Sequence, residues 1–371
     1  MSKTLAKIAQ QLNDGTNKKV QLIYAFNGTG KTRLSRAFKH EIDPKQEGDE
    51  ASSELADKKI IYYSAFTEDL FYWDNDLGQD AEPILKIQPN AFTKWVLEEQ
   101  GQELSIARTF QHYTSDKLTP HFSDDFSSVS FSFERGNQEP EPHIKISKGE
   151  ESNFIWSVFN ALLEQVIAEL NIPDAAYRST DVFNKLTHVF IDDPVSSLDE
   201  NHLIELAVNL ASLIKSSQSD LKFIITTHSP LFYNVLFNEL NSKASYLLEC
   251  FEDGSFELIE KHGDSNKSFS YHLHLLQTIE QAIADSKVER YHFTLLRNLY
   301  EKTASFLGYP RWSELLPDDR QLYLNRVIQF TSHSTLSNET VAQPTPAESA
   351  TVKLLLDHLK NNHAFWQPQG A

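Results

Sequence analysis

Val20-Gln21-Leu22-Ile23-Tyr24-Ala25-Phe26-Asn27-Gly28-Thr29-Gly30-Lys31-Thr32 is the run whose reading decides the fold. Val20–Tyr24 has the composition of a buried strand, and Leu34, Ala37 and Phe38 recur at helical spacing after Thr32. Between them lies a glycine loop closed by Gly-Lys-Thr. Strand, loop and helix in that order predict a phosphate cradle. Successive backbone N–H groups around Gly28 and Gly30 point at one anion, and the new helix adds the positive end of its dipole. Asn27, Gly28, Thr29, Gly30 and Lys31 are the expected phosphate-binding set. Lys31 reaches the β- and γ-phosphates, and the Thr32 hydroxyl is a ligand for Mg²⁺. The usual loop opens with glycine, whereas Ala25 holds that place here; alanine serves if its φ is negative.

Three further stretches have chemistry that fits this cradle. His188-Val189-Phe190-Ile191-Asp192-Asp193-Pro194 is an apolar strand ending in two carboxylates. At the carboxyl edge of a parallel sheet, Asp192 would stand beside the Mg²⁺ and Asp193 would polarise an attacking water. Ser196-Ser197-Leu198-Asp199 follows, then an apolar helix through Leu203, Leu206, Ala207, Leu210 and Leu213. Phe223–Thr227 is another strand, ending in His228-Ser229-Pro230, and His228 there is placed to hydrogen-bond a γ-phosphate. Ile146-Ser147-Lys148-Gly149-Glu150 leads into a long amphipathic helix. It reads either as a plain N-cap or as a second anion site made of the Ser147 hydroxyl, the Gly149 N–H and a helix dipole.

Taken in order, Lys31, Ser147-Lys148-Gly149-Glu150, Asp192-Asp193, Ser-Ser-Leu-Asp and His228 resemble the ABC-type ATPases, particularly their soluble relatives in DNA repair and defence. That resemblance implies two nucleotides, ATP or GTP, sandwiched between two heads of a homodimer. Ser147, Gly149 and Glu150 of one copy would face the cradle of the other, with Asp199 and His228 completing the nucleotide contacts. Asp193 stands where that family usually carries Glu. A shorter side chain there implies slow hydrolysis and a timed clamp.

Two more stretches narrow the resemblance. Ala25–Ser35, the aromatic and acidic run Tyr62–Asp76, and Ile146–Ser152 together look like the PrrC-type bacterial anticodon nucleases, over nearly the whole chain. The aromatic run reads by itself either as core in a strand–turn–helix piece or as an insertion specific to one ATPase family. The implied fold is α/β, an ABC-type P-loop ATPase head over residues 1–260, followed by a mainly α-helical, HEPN-like nuclease domain over 261–371. The segment before Val20 is short for that family.

The rear part has no cradle of its own. Arg297 and Glu301 lie one turn apart on a helix whose Leu295, Leu296, Leu299 and Tyr300 are apolar. Spacing permits a solvated ion pair or a catalytic one. Arg326 and His333 read as lying together on one later short helix. An arginine, a glutamate and a histidine suit RNA cleavage without a metal: a base takes the 2′-OH proton, an acid protonates the leaving 5′-oxygen, and a guanidinium stabilises charge on phosphorus. The resemblance assigns those roles to Arg297, Glu301 and His333. It also implies that Asp264, Ser265, Asn266, Lys267, Tyr271, His272 and His274 read the anticodon stem-loop of tRNA-Lys, against the plainer reading of a polar interdomain loop. It further implies an antiphage toxin held inactive by a type I restriction-modification complex.

Composition sets outer bounds. Acidic residues number 52 against 34 basic, a net charge of −18, which argues against non-specific coating of nucleic acid. No apolar run is long enough for a membrane span, and Met1-Ser2-Lys3-Thr4 lacks a signal-peptide core. The single cysteine, Cys250, rules out an internal disulfide, fits a reducing cytoplasm, and reads as a buried small residue at a strand end. Helical periodicity runs through Phe92–Thr114. Ser127–Phe133 and His143–Ile146 read as a β-arm presenting the Ser147 turn.

Two other functions compete. One is a repair or chromosome ATPase whose rear domain only recruits partners; such proteins usually place a long coiled coil between cradle and signature, and no long heptads occur here. The other is a defence ATPase with a DNA-cutting domain, which usually needs a carboxylate cluster for metal, and the sequence of residues 260–371 shows no clear one.

Overall fold

A computed structural model describes residues 3–15, 18–44, 58–64, 70–74, 82–136, 139–194, 198, 200–251, 253–261, 271–332 and 344–363. The chain divides into two compact units, Met1–Gly263 and Asp264–Ala371.

The first unit is built on a six-stranded sheet. Its strands are β1 (Val20–Tyr24), β2 (Ile60–Ser64), β7 (His188–Asp192), β8 (Lys222–Thr227), β9 (Ser245–Cys250) and β10 (Phe256–Glu260). Their order is β10-β9-β1-β8-β7-β2, with β10 antiparallel and the rest parallel. The register sets Tyr24 against Thr227 and Asp192 against Thr226. The carboxyl ends of β1, β7 and β8 therefore open on one edge. β1, β7 and β8 are central and almost wholly buried, which explains their continuous apolar runs.

Helices cover this sheet. α1 (Leu5–Asp14) starts on Thr4, whose hydroxyl accepts the Lys7 N–H, and buries Leu5, Ile8, Ala9 and Leu12. With α2 (Lys31–Ile42) it packs on Ile23, Phe190, Ile224 and Leu248. β2 faces two ways. The Tyr62 hydroxyl accepts a hydrogen bond from Ser35 on α2 at 3.1 Å, while Tyr63 packs against Trp156 and Phe159 of α5 (Lys148–Leu170).

A second, antiparallel sheet has the order β3-β4-β6-β5, formed by β3 (Phe71–Asp74), β4 (Ile84–Ile87), β5 (Leu118–Phe122) and β6 (Ser128–Phe133). Phe154 of α5 is its hub, with Phe71, Phe110, Phe122 and Phe131 around it.

Four local expectations need correction. Phe71–Asp74 is a strand where a turn and helix were expected. The periodic stretch 92–114 is α3 (Ala91–Lys94), a π-helical turn Trp95–Glu99, and α4 (Glu103–Tyr113), separated at Gly101, whose φ is 59°. The β-arm does not form as expected. β6 pairs with β5 and β4, and residues 143–146 form no strand, because His143 at φ 53° turns the chain after one bridge between Phe133 and Glu141. Cys250 is exposed, since it closes β9 near the tip of the hairpin to β10.

The second unit is helical: α8 (Tyr271–Ala284), α9 (Arg290–Leu307), α10 (Arg320–Ser332) and α11 (Pro346–Asn362). Their core joins Leu275, Ile279, Phe293, Leu296, Leu299, Tyr300, Val352, Leu355 and Leu359. The buried Tyr300 hydroxyl donates to the Leu355 carbonyl at 2.8 Å, tying α9 to α11.

Candidate functional site

The loop after β1 has the backbone that the cradle demands. Gly28 and Gly30 have φ of 83° and 102°, values that favour glycine. A Cβ on Gly30 would meet the Phe256 ring at 3.3 Å, whereas one on Gly28 would meet nothing within 4 Å. Ala25 has no positive φ, so alanine serves in place of the usual glycine. Thr29 donates its N–H to the Phe26 carbonyl at 3.3 Å. Lys31 opens α2 and is only 7% exposed. Its Nζ donates to Ala25 O (3.2 Å), Phe26 O (3.4 Å) and Asn27 Oδ1 (3.2 Å).

The two carboxylates at the end of β7 differ sharply. Asp192 accepts from Thr226 Oγ1 at 2.6 Å and from the Thr32 side chain. Burial nevertheless pushes its carboxyl above the usual range, with the charge of Asp193 adding to this. Asp193 is also buried, and burial opposes its charge. The hydrogen bond from His228 and the nearby Lys31 ammonium outweigh that and hold it below the usual range. His228 Nδ1 lies 2.6 Å from Asp193 Oδ2, and Lys31 Nζ lies 3.5 Å from the same oxygen. The cradle lysine, both carboxylates and His228 thus meet at one sheet edge.

The Ser147 turn is a complete helix cap. Ser147 Oγ accepts the Glu150 N–H at 3.3 Å, and the Glu150 carboxylate accepts the Ser147 N–H at 2.7 Å. Gly149 lies between them in the first turn of α5. The cap uses the hydroxyl as an acceptor, so its proton remains able to donate.

In the second unit, Arg297 Nε donates to Glu301 Oε1 at 2.7 Å, and the guanidinium stands 5.9 Å from the centre of the Trp312 ring. Both side chains are a little over a third exposed, at the edge of the α9 core.

No protein-family model matches the chain. A curated relative does: the anticodon nuclease of Escherichia coli is 68% identical over 392 aligned positions, covering all of this chain and 99% of the relative. The chain belongs to the anticodon nuclease family. Among solved structures, an SMC head bound to the C-terminal winged-helix domain of ScpA shares 11% identity over 66% of this chain and 90% of its own, with a TM-score of 0.33. The SMC head domain from Thermotoga maritima shares 13% over 66% and 91%, with a TM-score of 0.29.

In this member of the anticodon nuclease family the first unit is an α/β unit with a glycine loop between β1 and α2. Its loop fits a nucleotide and Mg²⁺ by three observations. The two glycines keep the cradle clear of side chains, a buried ammonium is aimed into it, and Thr32 and Asp192 bring two oxygen ligands together. Several of the expected family positions lie outside the described residues: Asp199, Asp264, Ser265, Asn266, Lys267 and His333. Tyr271, His272 and His274 open α8, with side chains that are likewise outside. α10, which carries Arg326, is described as far as Ser332.

Reading the sequence did not single out Thr226 and Thr227, whose hydroxyls donate to Asp192 and Asp193 at 2.6 and 3.4 Å. The signal was present, since two threonines end the strand just before His228. Tyr63, within the aromatic run, is fully buried, and burial and the charge of Asp193 both push its hydroxyl far up.

Proposed function

We propose that this chain is a nucleotide-gated anticodon nuclease that cuts tRNA-Lys beside the wobble base. Its head binds and hydrolyses ATP or GTP and controls when cutting occurs. The reading is carried by the 68% identity to an anticodon nuclease, which extends over all of this chain and so includes both head and rear helices.

In the head, Lys31 exchanges its loop carbonyls for phosphate oxygens, joined by the N–H groups around Gly28 and Gly30. Thr32 and Asp192 hold Mg²⁺. The bound metal nucleotide supplies the anhydride bond and the charge withdrawal that loosens it. Asp193, kept ionised by His228 and Lys31, orients water. Ser147, Gly149 and Glu150 of a second copy close the site in a homodimer.

In the rear unit, a base removes the ribose 2′-OH proton and O2′ forms a bond to the adjacent phosphorus. The bond from phosphorus to O5′ breaks, and an acid gives O5′ its proton. His333 and Glu301 share these two roles, and Arg297 stabilises the charge on the phosphoryl oxygens. The products are a 2′,3′-cyclic phosphate and a 5′-hydroxyl, and no metal takes part. The polar residues from Asp264 to His274 read the anticodon loop. In the cell, a type I restriction-modification complex holds the toxin inactive until phage infection, so the site of action is cytoplasmic.

Mapping the 3′-ends of total tRNA after induction tests this, wild type beside His333→Ala. The expected result is tRNA-Lys ending in a cyclic phosphate next to the wobble position in the wild type alone. Intact tRNA-Lys in both would overturn the reading.

A further inference from the structure

The aromatic run that starts in β2 takes part in neither nucleotide binding nor RNA cleavage as proposed above, yet it is tied to α5 at two points. Tyr63 packs edge-on against Trp156 at 5.2 Å and against Phe159 at 4.7 Å, both on α5. Its register partner on β7 is Ile191. Further along, the Trp73 indole Nε1 donates to Glu151 Oε2 at 2.9 Å.

Glu151 is the more telling residue, being a carboxylate only 8% exposed. It follows the Ser147–Glu150 turn directly and also receives Lys148 Nζ at 3.0 Å. A buried carboxylate is costly unless it is hydrogen-bonded and paired, and here the indole and the ammonium do both. Starting the helix does not require it, because Ser147 and Glu150 already complete the capping box. Its bond instead crosses to β3, an edge strand of the second sheet. Lys145, just before the turn, holds its ammonium 5.6 Å from the Trp73 ring. Trp73 is therefore gripped from both sides of the Ser147 turn, by Lys145 before it and Glu151 after it.

We infer that Trp73 and Glu151 are a positioning pair that fixes the pose of the Ser147–Glu150 turn, and so sets how well that turn closes on nucleotide held by a second copy. This rests on the proposed closure in trans. Neither residue touches nucleotide; both act through Ser147 and Gly149.

The test uses the full-length protein. Trp73→Phe keeps an aromatic ring near Phe131, whose ring centre lies 6.2 Å from that of Trp73, and removes the N–H donor. Glu151→Gln keeps an oxygen that accepts from the indole and serves as the conservative variant. Affinity for a fluorescent ATP analogue is measured at low protein concentration, and ATP turnover is measured across a protein titration. In Trp73→Phe we expect affinity within about twofold of wild type. Its turnover should fall at least tenfold, with the half-maximal protein concentration shifted upward. Glu151→Gln should retain turnover within about threefold. Turnover in Trp73→Phe equal to wild type overturns the inference. A loss of affinity in Trp73→Phe as large as its loss of turnover also overturns it by marking general damage to the head. Wild-type turnover per chain that does not depend on protein concentration removes closure in trans itself, whatever Trp73→Phe does.

Discussion

Asp193 accepts both the backbone N–H of His228, at 3.2 Å, and its ring nitrogen, at 2.6 Å, from a backbone with φ of 52°. A non-glycine residue in the left-handed region is strained, and such strain persists where surrounding contacts fix it. Here Lys31, Thr227 and His228 all fix it. Asp193→Asn should therefore lower ATP turnover by about 10²-fold or more while nucleotide affinity changes little. Phosphate release and a binding titration on the same preparation check this. Turnover within threefold of wild type would assign the water to another residue.

Gly30→Ala tests the cradle. Its φ of 102° and the Phe256 ring 3.3 Å from a new Cβ both oppose a side chain. The substitution should cost about 1–2 kcal/mol of stability and most of the nucleotide affinity. Gly136→Ala is the control, with φ of 61° and nothing within 4 Å. It should lower stability similarly and leave affinity intact, as read from melting curves with and without ATP.

Arg297→Lys tests the rear pair. The ammonium keeps the charge but loses the directed Nε bond to Glu301 and the flat face over Trp312. Cleavage of tRNA should fall at least about 10²-fold. Folding stability should change by less than about 1 kcal/mol, because exposed pairs contribute little. Denaturant melts and tRNA mapping separate the two effects.

His188 predicts an acid-sensitive fold. Burial in β7, and then the charge of Lys222 beside it, push the imidazole down to about 4. The unfolded chain binds that proton near pH 6.5. Stability from the neutral ring is thus fully present above pH 6.5 and is lost as the pH falls towards 4, on the order of 3 kcal/mol in all. His188→Phe should flatten this part of the curve. Urea midpoints at pH 7 and pH 4.5 for both proteins check it, and an unchanged difference between the two would refute it.

The head was readable because its chemistry is local. A glycine loop between strand and helix encodes its own row of N–H donors, and Asp192-Asp193 and His228 follow apolar strands long enough to be buried. The Arg297–Glu301 pair was readable as a pair from one helical turn, but spacing alone left its role open. Three local structures differ from what periodicity implies, two because one residue within the stretch takes a positive φ and one because a distant strand pairs with it. His143 at φ 53° ended the supposed arm, Gly101 split the supposed helix, and Phe71–Asp74 became a strand because Ile84–Ile87 was there to pair with it.

By itself, the sequence determined the glycine loop between β1 and α2, the order of the acidic and histidine strand ends and the apolar faces that bury them, since each depends on neighbours within one or two turns of chain. Tertiary structure alone decided that Asp192 and Asp193 differ in charge preference, that Lys31 leans on Asp193, and that Trp73 reaches Glu151. Those outcomes come from parallel register and helix packing. Such packing joins residues dozens of positions apart and sets which buried charge finds a partner.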